Sequence, residues 1–285
     1  MSEFKCYFCS CEQYTIVALA HEIRFNCYDT DRKIYKCNHC KLVQMQPQWS
    51  EKELDEIYKG YQEKKDFKEQ KISKRAPSKY LSKYLTKEDL ILEIGSGDGV
   101  DLNYLTKMGY TVTGIDKNAD VCDNITVIHG NYEKAFEEGN YDKVYGIQLF
   151  EHIDKPIEFL STVIKNLTKG GKLVLEFPNI EDPLLSLYKI KEFREYYFRP
   201  DHLFFYSPKT AGLICRQANI KSTFHQLRKI KRKQRYGIIN HLNWLIRRKP
   251  MNGNPHIPIL DDIYKFILTK ILRMSDTILL VIERN

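Results

Sequence analysis

The sequence predicts an α/β fold, a doubly wound and mostly parallel seven-stranded sheet, preceded by a small cysteine-stapled module. Three observations carry that expectation. From Leu90 onward, strand-like and helix-like segments alternate, as in chains that build a parallel sheet with helices on both faces. The stretch "LILEIGSGDG" (90–99) runs a strand into glycines at 95, 97 and 99 just before a helix, where backbone must approach a ligand closely. Two CxxC pairs, Cys6/Cys9 and Cys37/Cys40, stand within the first 40 residues.

The elements follow in order. Six of the eight cysteines fall in the N-terminal segment, taken as a module over 1–48. Two CxxC knuckles supply the four thiolates of a tetrahedral zinc site, so Cys6, Cys9, Cys37 and Cys40 are the expected ligands of a zinc-ribbon-like module. Cys11, Cys27 and His39 are substitutes should one ligand differ. Four thiolates leave no open position for water, so the Zn²⁺ is expected to be structural and to offset the small core of so short a segment. A helical linker is expected over 49–88. In it, Ser50 and Glu53 match a capping box, and "SKYLSKYL" (78–85) has helical spacing.

The core is expected over 89–227. "LILEIG", "YTVTGID", "ITVIHG", "YDKVYGIQ" and "KLVLEFPN" read as its first five strands. "VDLNYLTKMG" reads as a helix stopped by Gly109, and "KPIEFLSTVIKNLTKGG" as a helix with a glycine stop. "IKSTFHQL" is the sixth strand and "TILLVIE" the last. The roughly 50 residues between these two form a basic insertion, so 228–285 is expected to be an acceptor lid plus the final strand. On such sheets a ligand binds beyond the carboxyl ends of the strands, where Gly95–Gly99, Asp116, Asn131 and Gln148–His152 converge.

Charge separates two cofactor classes. A dinucleotide loop reads G-x-G-x-x-G, and Val100 occupies the place of its third glycine. Glu93 and Asp98 would repel a pyrophosphate but suit a cationic sulfonium. Asp116, about 20 residues beyond the loop, is placed to accept from both ribose hydroxyls of either cofactor.

"LEIGSGDG", "GIDKN", "HGNYE", "IQLFEHIDKPIEFL" and "GGKLVLEFPN" together resemble, in content and order over roughly residues 75–225, the motifs of class I S-adenosylmethionine-dependent methyltransferases. The resemblance implies a Rossmann-like methyltransferase sheet and a cofactor site at Glu93, Gly95, Gly97, Gly99, Asp116, Asn131, Tyr132 and Gln148, with an amide at Asn131 where the family usually has an acid. The cysteine module, "RPDHLFFYSPKTA" and "QRYGIINHLNWL" resemble bacterial surface-polysaccharide and sugar-modifying methyltransferases of the capsule type. That implies O-methylation of a sugar, a nucleotide-sugar or a phosphorylated precursor, including a phosphoramidate.

A hydroxyl acceptor needs its proton removed, which histidine suits near neutral pH. His152, His202 and His241 are the candidate bases, with Glu176 beside them. Tyr206, Arg235, Tyr236 and Asn240 are expected to contact the acceptor, Arg235 meeting an anionic group. Net charge is +8, concentrated in "LRKIKRKQRY" and "IRRKP", which suits an anionic acceptor or a solvated face. Two alternatives stand beside this reading: an RNA methyltransferase gripping phosphates with the basic stretch, and a non-catalytic zinc-module interaction protein. Against RNA, "QLFEH" stands where amino-group methyltransferases carry an N/D-P-P-Y-type tetrad. With no secretory pattern and no apolar run of about 18–20 residues, the chain is expected to be cytoplasmic and without a membrane span.

Overall fold

A computed structural model describes residues 4–19, 32–50, 52–57, 81–97, 99–117, 126–137, 139–220, 224–229, 238–249, 257 and 259–285. The chain divides into two compact units. The sheet unit takes the described parts of Lys65–Glu176, Leu213–Gln226 and Leu279–Asn285; the cysteine unit takes those of Met1–Lys64, Phe177–Gly212 and Leu227–Ile278. Both are discontinuous in sequence: the first division falls at 64/65 rather than 88/89, one near 227 falls at 226/227, residues 177–212 of the expected core go to the cysteine unit, and 279–285 go to the sheet unit.

In the cysteine unit, β1 (Tyr14–Ala18), β2 (Lys33–Cys37) and β3 (Val43–Gln46) form an antiparallel meander. Strand β9 (Phe204–Phe205), from far along the chain, pairs with β3 at its edge. The capping box predicted at Ser50 is present: its N–H and hydroxyl meet the Glu53 carboxylate at 2.8 and 2.7 Å, ahead of a helical turn over 52–57. Helices α3 (Pro183–Ser186), α4 (Lys191–Tyr197), α6 (Ile238–Arg247) and α7 (Leu260–Phe266) also belong here. Its core joins Ile34, Val43 and Met45 of the meander to Phe193 and Phe198, Phe205 of β9 and Trp244 of α6. Fully burying each such side chain contributes about 1.5–3 kcal/mol, which draws these distant segments together.

The sheet unit is built on β4 (Leu90–Ile94), β5 (Thr111–Asp116), β6 (Thr126–His129), β7 (Tyr141–Ile147), β8 (Leu167–Pro178), β10 (Phe224–Lys229) and β11 (Thr277–Glu283), in the order β10-β11-β8-β7-β4-β5-β6. The β6-β5-β4-β7-β8 pairings are all parallel. Gly170 and Gly171 bond to Arg284, while Asn179 bonds to Asp276, so β11 runs antiparallel to β8. Helix α1 (Val100–Lys107) buries Leu102 and Leu105 and stops at Gly109, whose φ of +81° is left-handed. Helix α2 (Pro156–Lys165) opens on its proline, and α5 (Pro208–Gln217) precedes β10.

Two elements differ from expectation. Helix α2 ends at Lys165 rather than at the glycines, because Leu167 already pairs with Tyr141. Gly170 and Gly171 instead lie inside β8, at the register shift opposite Tyr141–Lys143. A Cβ on Gly171 would sit 2.8 Å from the Thr168 carbonyl oxygen and 2.9 Å from that of Asp142, so the irregularity requires glycine. "SKYLSKYL" yields a short 3-10 turn, Leu81–Lys83, and its first residues lie outside those described.

Candidate functional site

Parallel register brings the carboxyl ends of β6, β5, β4, β7 and β8 to one edge of the sheet unit: Ile94 lies beside Ile115, Asp116 beside His129, and Ile147 beside Glu176. The glycine loop leaves β4 there. Gly95, Gly97 and Gly99 have φ of +76°, +53° and +66°, the region that side chains disfavour. The loop is tied to the neighbouring strand: Gly95 and Ser96 N–H donate to the Ile115 carbonyl at 2.8 and 3.3 Å, and Gly97 N–H donates to Asp116 Oδ2 at 2.8 Å. One carboxylate thus fixes the loop at the end of β5.

Gly114, inside β5, is a packing position on which the loop depends and which was not among the expected site residues. A Cβ there would fall 2.4 Å from Leu102 and 2.9 Å from Ser96 Oγ, so glycine is what lets α1 and the loop lie against β5. A lone glycine inside a strand pattern was the available signal.

Glu93 differs from its expected role. It is 4 % exposed, and its Oε2 accepts from the Tyr145 hydroxyl at 2.9 Å, so it is tied into the sheet behind the loop. Burial, then the nearby Glu93 charge, holds the Tyr145 phenol well above its usual range. Asp98 lies outside the described residues.

Asn131 is exposed in the turn after β6, and Gly130 N–H of that turn donates to the Asp116 carbonyl at 3.2 Å. Tyr132 packs edge-on against Phe159, centroids 4.9 Å apart, and burial raises its phenol pKa. Gln148 is exposed beyond β7 with a φ of +55°, and its N–H donates to the Glu176 carbonyl at 2.6 Å. A non-glycine residue held there stores about 1–3 kcal/mol of strain, a mark of functional loops. The next turn, Phe150–His152, buries Glu151 and leaves His152 half-buried, with Nε2 3.9 Å from Glu151 Oε1. Glu176 is buried at 1 % exposure. A cleft of about 160 Å³ lined by Leu90, Thr111 and Tyr141 lies at the opposite, amino ends of the strands, away from all these groups.

The donor set fits the methyl donor that the resemblance implies. Asp116 suits a ribose, the amide of Asn131 suits an adenine edge, and the bare loop backbone admits close approach.

The other expected residues are in the cysteine unit. Tyr206 is fully buried between Phe177 and Phe204, which makes it a core residue rather than an exposed acceptor contact. His241 is buried at 1 % exposure on α6, its Nδ1 hydrogen-bonded to Tyr264, which also bonds Tyr188. Burial lowers its pKa to about 4, so a base near neutral pH is not what this environment makes; it is a packed structural histidine. Asn240 is half-buried on the same helix. His202 is 7 % exposed and follows an Arg199–Asp201 fork with contacts of 3.0 and 2.9 Å. Arg235 and Tyr236 lie outside the described residues, as does Cys27.

Cys6, Cys9, Cys37 and Cys40 form one cluster, with all four sulfurs within 4.8 Å of one another. The cross pairs Cys6/Cys40 and Cys9/Cys37 are 3.5 and 3.6 Å apart, near the separation of about 3.8 Å that Zn–S bonds of about 2.3 Å impose on a tetrahedron. The two knuckles repeat one geometry. Ser10 N–H donates to the Cys6 carbonyl and Lys41 N–H to that of Cys37, and Ser10 and Lys41 both have left-handed φ, 55° and 69°. Burial pushes the Cys6 thiol up to about 11 and Cys40 higher; at Cys37 burial is outweighed by the Cys40 and His39 backbone N–H groups, which lower it to about 7. The geometry and donor chemistry fit a closed, structural Zn²⁺ site.

Comparison with known proteins matches the family model described as "Methyltransferase domain" to residues 67–223. A ubiquinone biosynthesis O-methyltransferase of Caulobacter sp. (strain K31) is 31% identical over 113 residues, 35% of this chain and 45% of that protein. A mitochondrial ubiquinone biosynthesis O-methyltransferase of Schizosaccharomyces pombe is 25% identical over 99 residues, 30% and 36% of the two chains. The chain therefore spans less than half the length of these curated relatives. Among solved structures, a SAM-dependent methyltransferase from Archaeoglobus fulgidus aligns with a TM-score of 0.47 at 16% identity, over 72% of this chain and 90% of that one.

Proposed function

The chain belongs to the methyltransferase-domain family, and from that premise we propose that it is an S-adenosylmethionine-dependent methyltransferase acting on a hydroxyl of a small-molecule acceptor. The observation that carries the reading is the link between Gly97 N–H and Asp116 Oδ2, which joins the loop and the ribose-side acid into one seat. Bound there, S-adenosylmethionine supplies an activated methyl group on a sulfonium. Gly95–Gly99 and Asp116 would hold its amino-acid and ribose parts, with Asn131 and Tyr132 beside the adenine.

Because the carbon is already activated, the chain's main contribution is alignment. The acceptor hydroxyl also has to lose a proton, and His152 is the base we assign, with the buried Glu151 carboxylate at 3.9 Å to stabilise the imidazolium formed. Oxygen as the methylated atom draws support from the names of the ubiquinone biosynthesis O-methyltransferases that the chain resembles. Neither of those names offers a polysaccharide acceptor, and the anionic acceptor expected from Arg235 and Tyr236 rests on residues outside those described. Zn²⁺ held by Cys6, Cys9, Cys37 and Cys40 is proposed as a structural ion of the cysteine unit.

The test is transfer of labelled methyl from S-adenosylmethionine to a panel of phenolic, sugar and sugar-phosphate hydroxyls. Transfer to a hydroxyl, with kcat reduced about 100-fold or more in His152→Ala and cofactor affinity retained, is the expected result. Transfer to nitrogen or carbon, or an unaffected His152→Ala, would contradict it.

A further inference from the structure

Helix α7 of the cysteine unit continues through a wider turn, Ile267–Ile271, and is turned with polar groups inward. Asp261 is 1 % exposed and accepts from Ile238 N–H and Ile257 N–H at 2.9 Å each, and Tyr264 is hydrogen-bonded to Tyr188 and His241. The opposite face is apolar and open: Ile259 is 74 % exposed, Ile263 51 %, Phe266 58 % and Ile271 63 %. Positions 259, 263 and 266 share one helical stripe. On α6, Ile246 is 77 % exposed. Large aliphatic and aromatic side chains gathered this way mark an interaction site rather than an ordinary solvated helix.

Charge indicates what covers the face. Arg247 ends α6 and Arg248 and Lys249 follow it, Lys270 and Arg273 follow on from α7, and all five are exposed. Among the described residues of 238–249 and 257–273, Asp262 is the one exposed acid. Two copies of so basic a rim would repel each other, whereas an anionic surface would attract it. The helix is also too short and too charged to cross a bilayer: no helix among the described residues is long and apolar enough to do so. An apolar stripe bordered by Lys and Arg is the pattern of a helix that lies in a membrane interface.

We propose that the outward face of α6 and α7 docks on an anionic lipid surface. The unit's polar inner contacts hold the helix in place, the basic rim draws it to headgroups, and Ile259, Ile263, Phe266 and Ile271 enter the acyl boundary. The test is co-sedimentation of the full chain with phosphatidylcholine vesicles containing about one-third phosphatidylglycerol, beside pure phosphatidylcholine vesicles. Binding to the anionic vesicles is expected to fall about tenfold or more in Ile263→Glu/Phe266→Glu, and about tenfold in Lys270→Gln/Arg273→Gln or on adding about 0.5 M salt. These positions are exposed, and tryptophan fluorescence from Trp49 and Trp244 checks that each variant keeps the cysteine unit folded. Absence of sedimentation, or equal binding to neutral vesicles, overturns the proposal. So does self-association in solution that Ile263→Glu/Phe266→Glu abolishes, because the face would then be an interface between copies.

Discussion

The two units solve the same problem of order by different means. The sheet unit draws its strand order from parallel pairing and helices that cover it, and its specialised positions are glycines: Gly95, Gly97 and Gly99 shape the loop, and Gly114 lets the loop and α1 lie close. The cysteine unit, like the sheet unit drawn from three separate stretches, is closed instead by a two-residue strand and by four thiolates that fit a metal. The difference teaches where each is vulnerable. A packed core loses stability by degrees as single contacts are removed, whereas an assembly that depends on a structural metal loses it in one step when the ion leaves.

Metal removal is the strongest way to break the comparison. Chelation, or Cys37→Ser, is expected to release about one zinc per chain and to unfold the cysteine unit, since binding free energy at such sites, about 10 kcal/mol or more, is folding free energy. Both tryptophans of the chain, Trp49 and Trp244, lie in that unit, so a red shift of tryptophan emission reports its loss directly. Unchanged emission and no bound zinc would remove the metal from the account.

Acid sharpens the same contrast. His241 has a folded pKa lowered to about 4 by burial, against about 6.5 unfolded. A depressed histidine favours the folded state fully above the unfolded value, and that stability is lost as pH falls from about 6.5 toward 4, a total of about 3 kcal/mol. Tryptophan-monitored urea unfolding of the cysteine unit should weaken across that window, and His241→Phe should flatten this part of the profile.

In the sheet unit the corresponding probe is steric. Gly114→Ala places a methyl 2.4 Å from Leu102 and should cost about 1–3 kcal/mol in thermal unfolding, with weaker cofactor binding because Ser96 of the loop is pushed as well. A variant with wild-type stability would show that loop and helix have room to give.

The sheet unit was largely legible because its information is local. Strand and helix periods, the glycine spacing and the stop at Gly109 each act within a few residues. Where reading failed there, it failed on pairing: Leu167 joins β8 because Tyr141 lies opposite it, and Glu93 turns to Tyr145 across the sheet. In the cysteine unit the four cysteines that come together were legible from spacing alone, but the assembly was not. Strand β9 has two residues, too few to show alternation, and its partner lies about 160 positions earlier. The same long-range packing buries Tyr206 and His241, which looked like acceptor-side groups in sequence.

The central claim is that the loop from Gly95 to Gly99 and Asp116 form one cofactor seat. Calorimetric titration of the purified chain with S-adenosylmethionine and S-adenosylhomocysteine, repeated on Asp116→Ala, tests it most directly. Micromolar binding of both ligands, weakened about tenfold or more in the variant through loss of charged hydrogen bonds, is the predicted result. No binding to the folded wild-type chain, or equal binding to the variant, would contradict it.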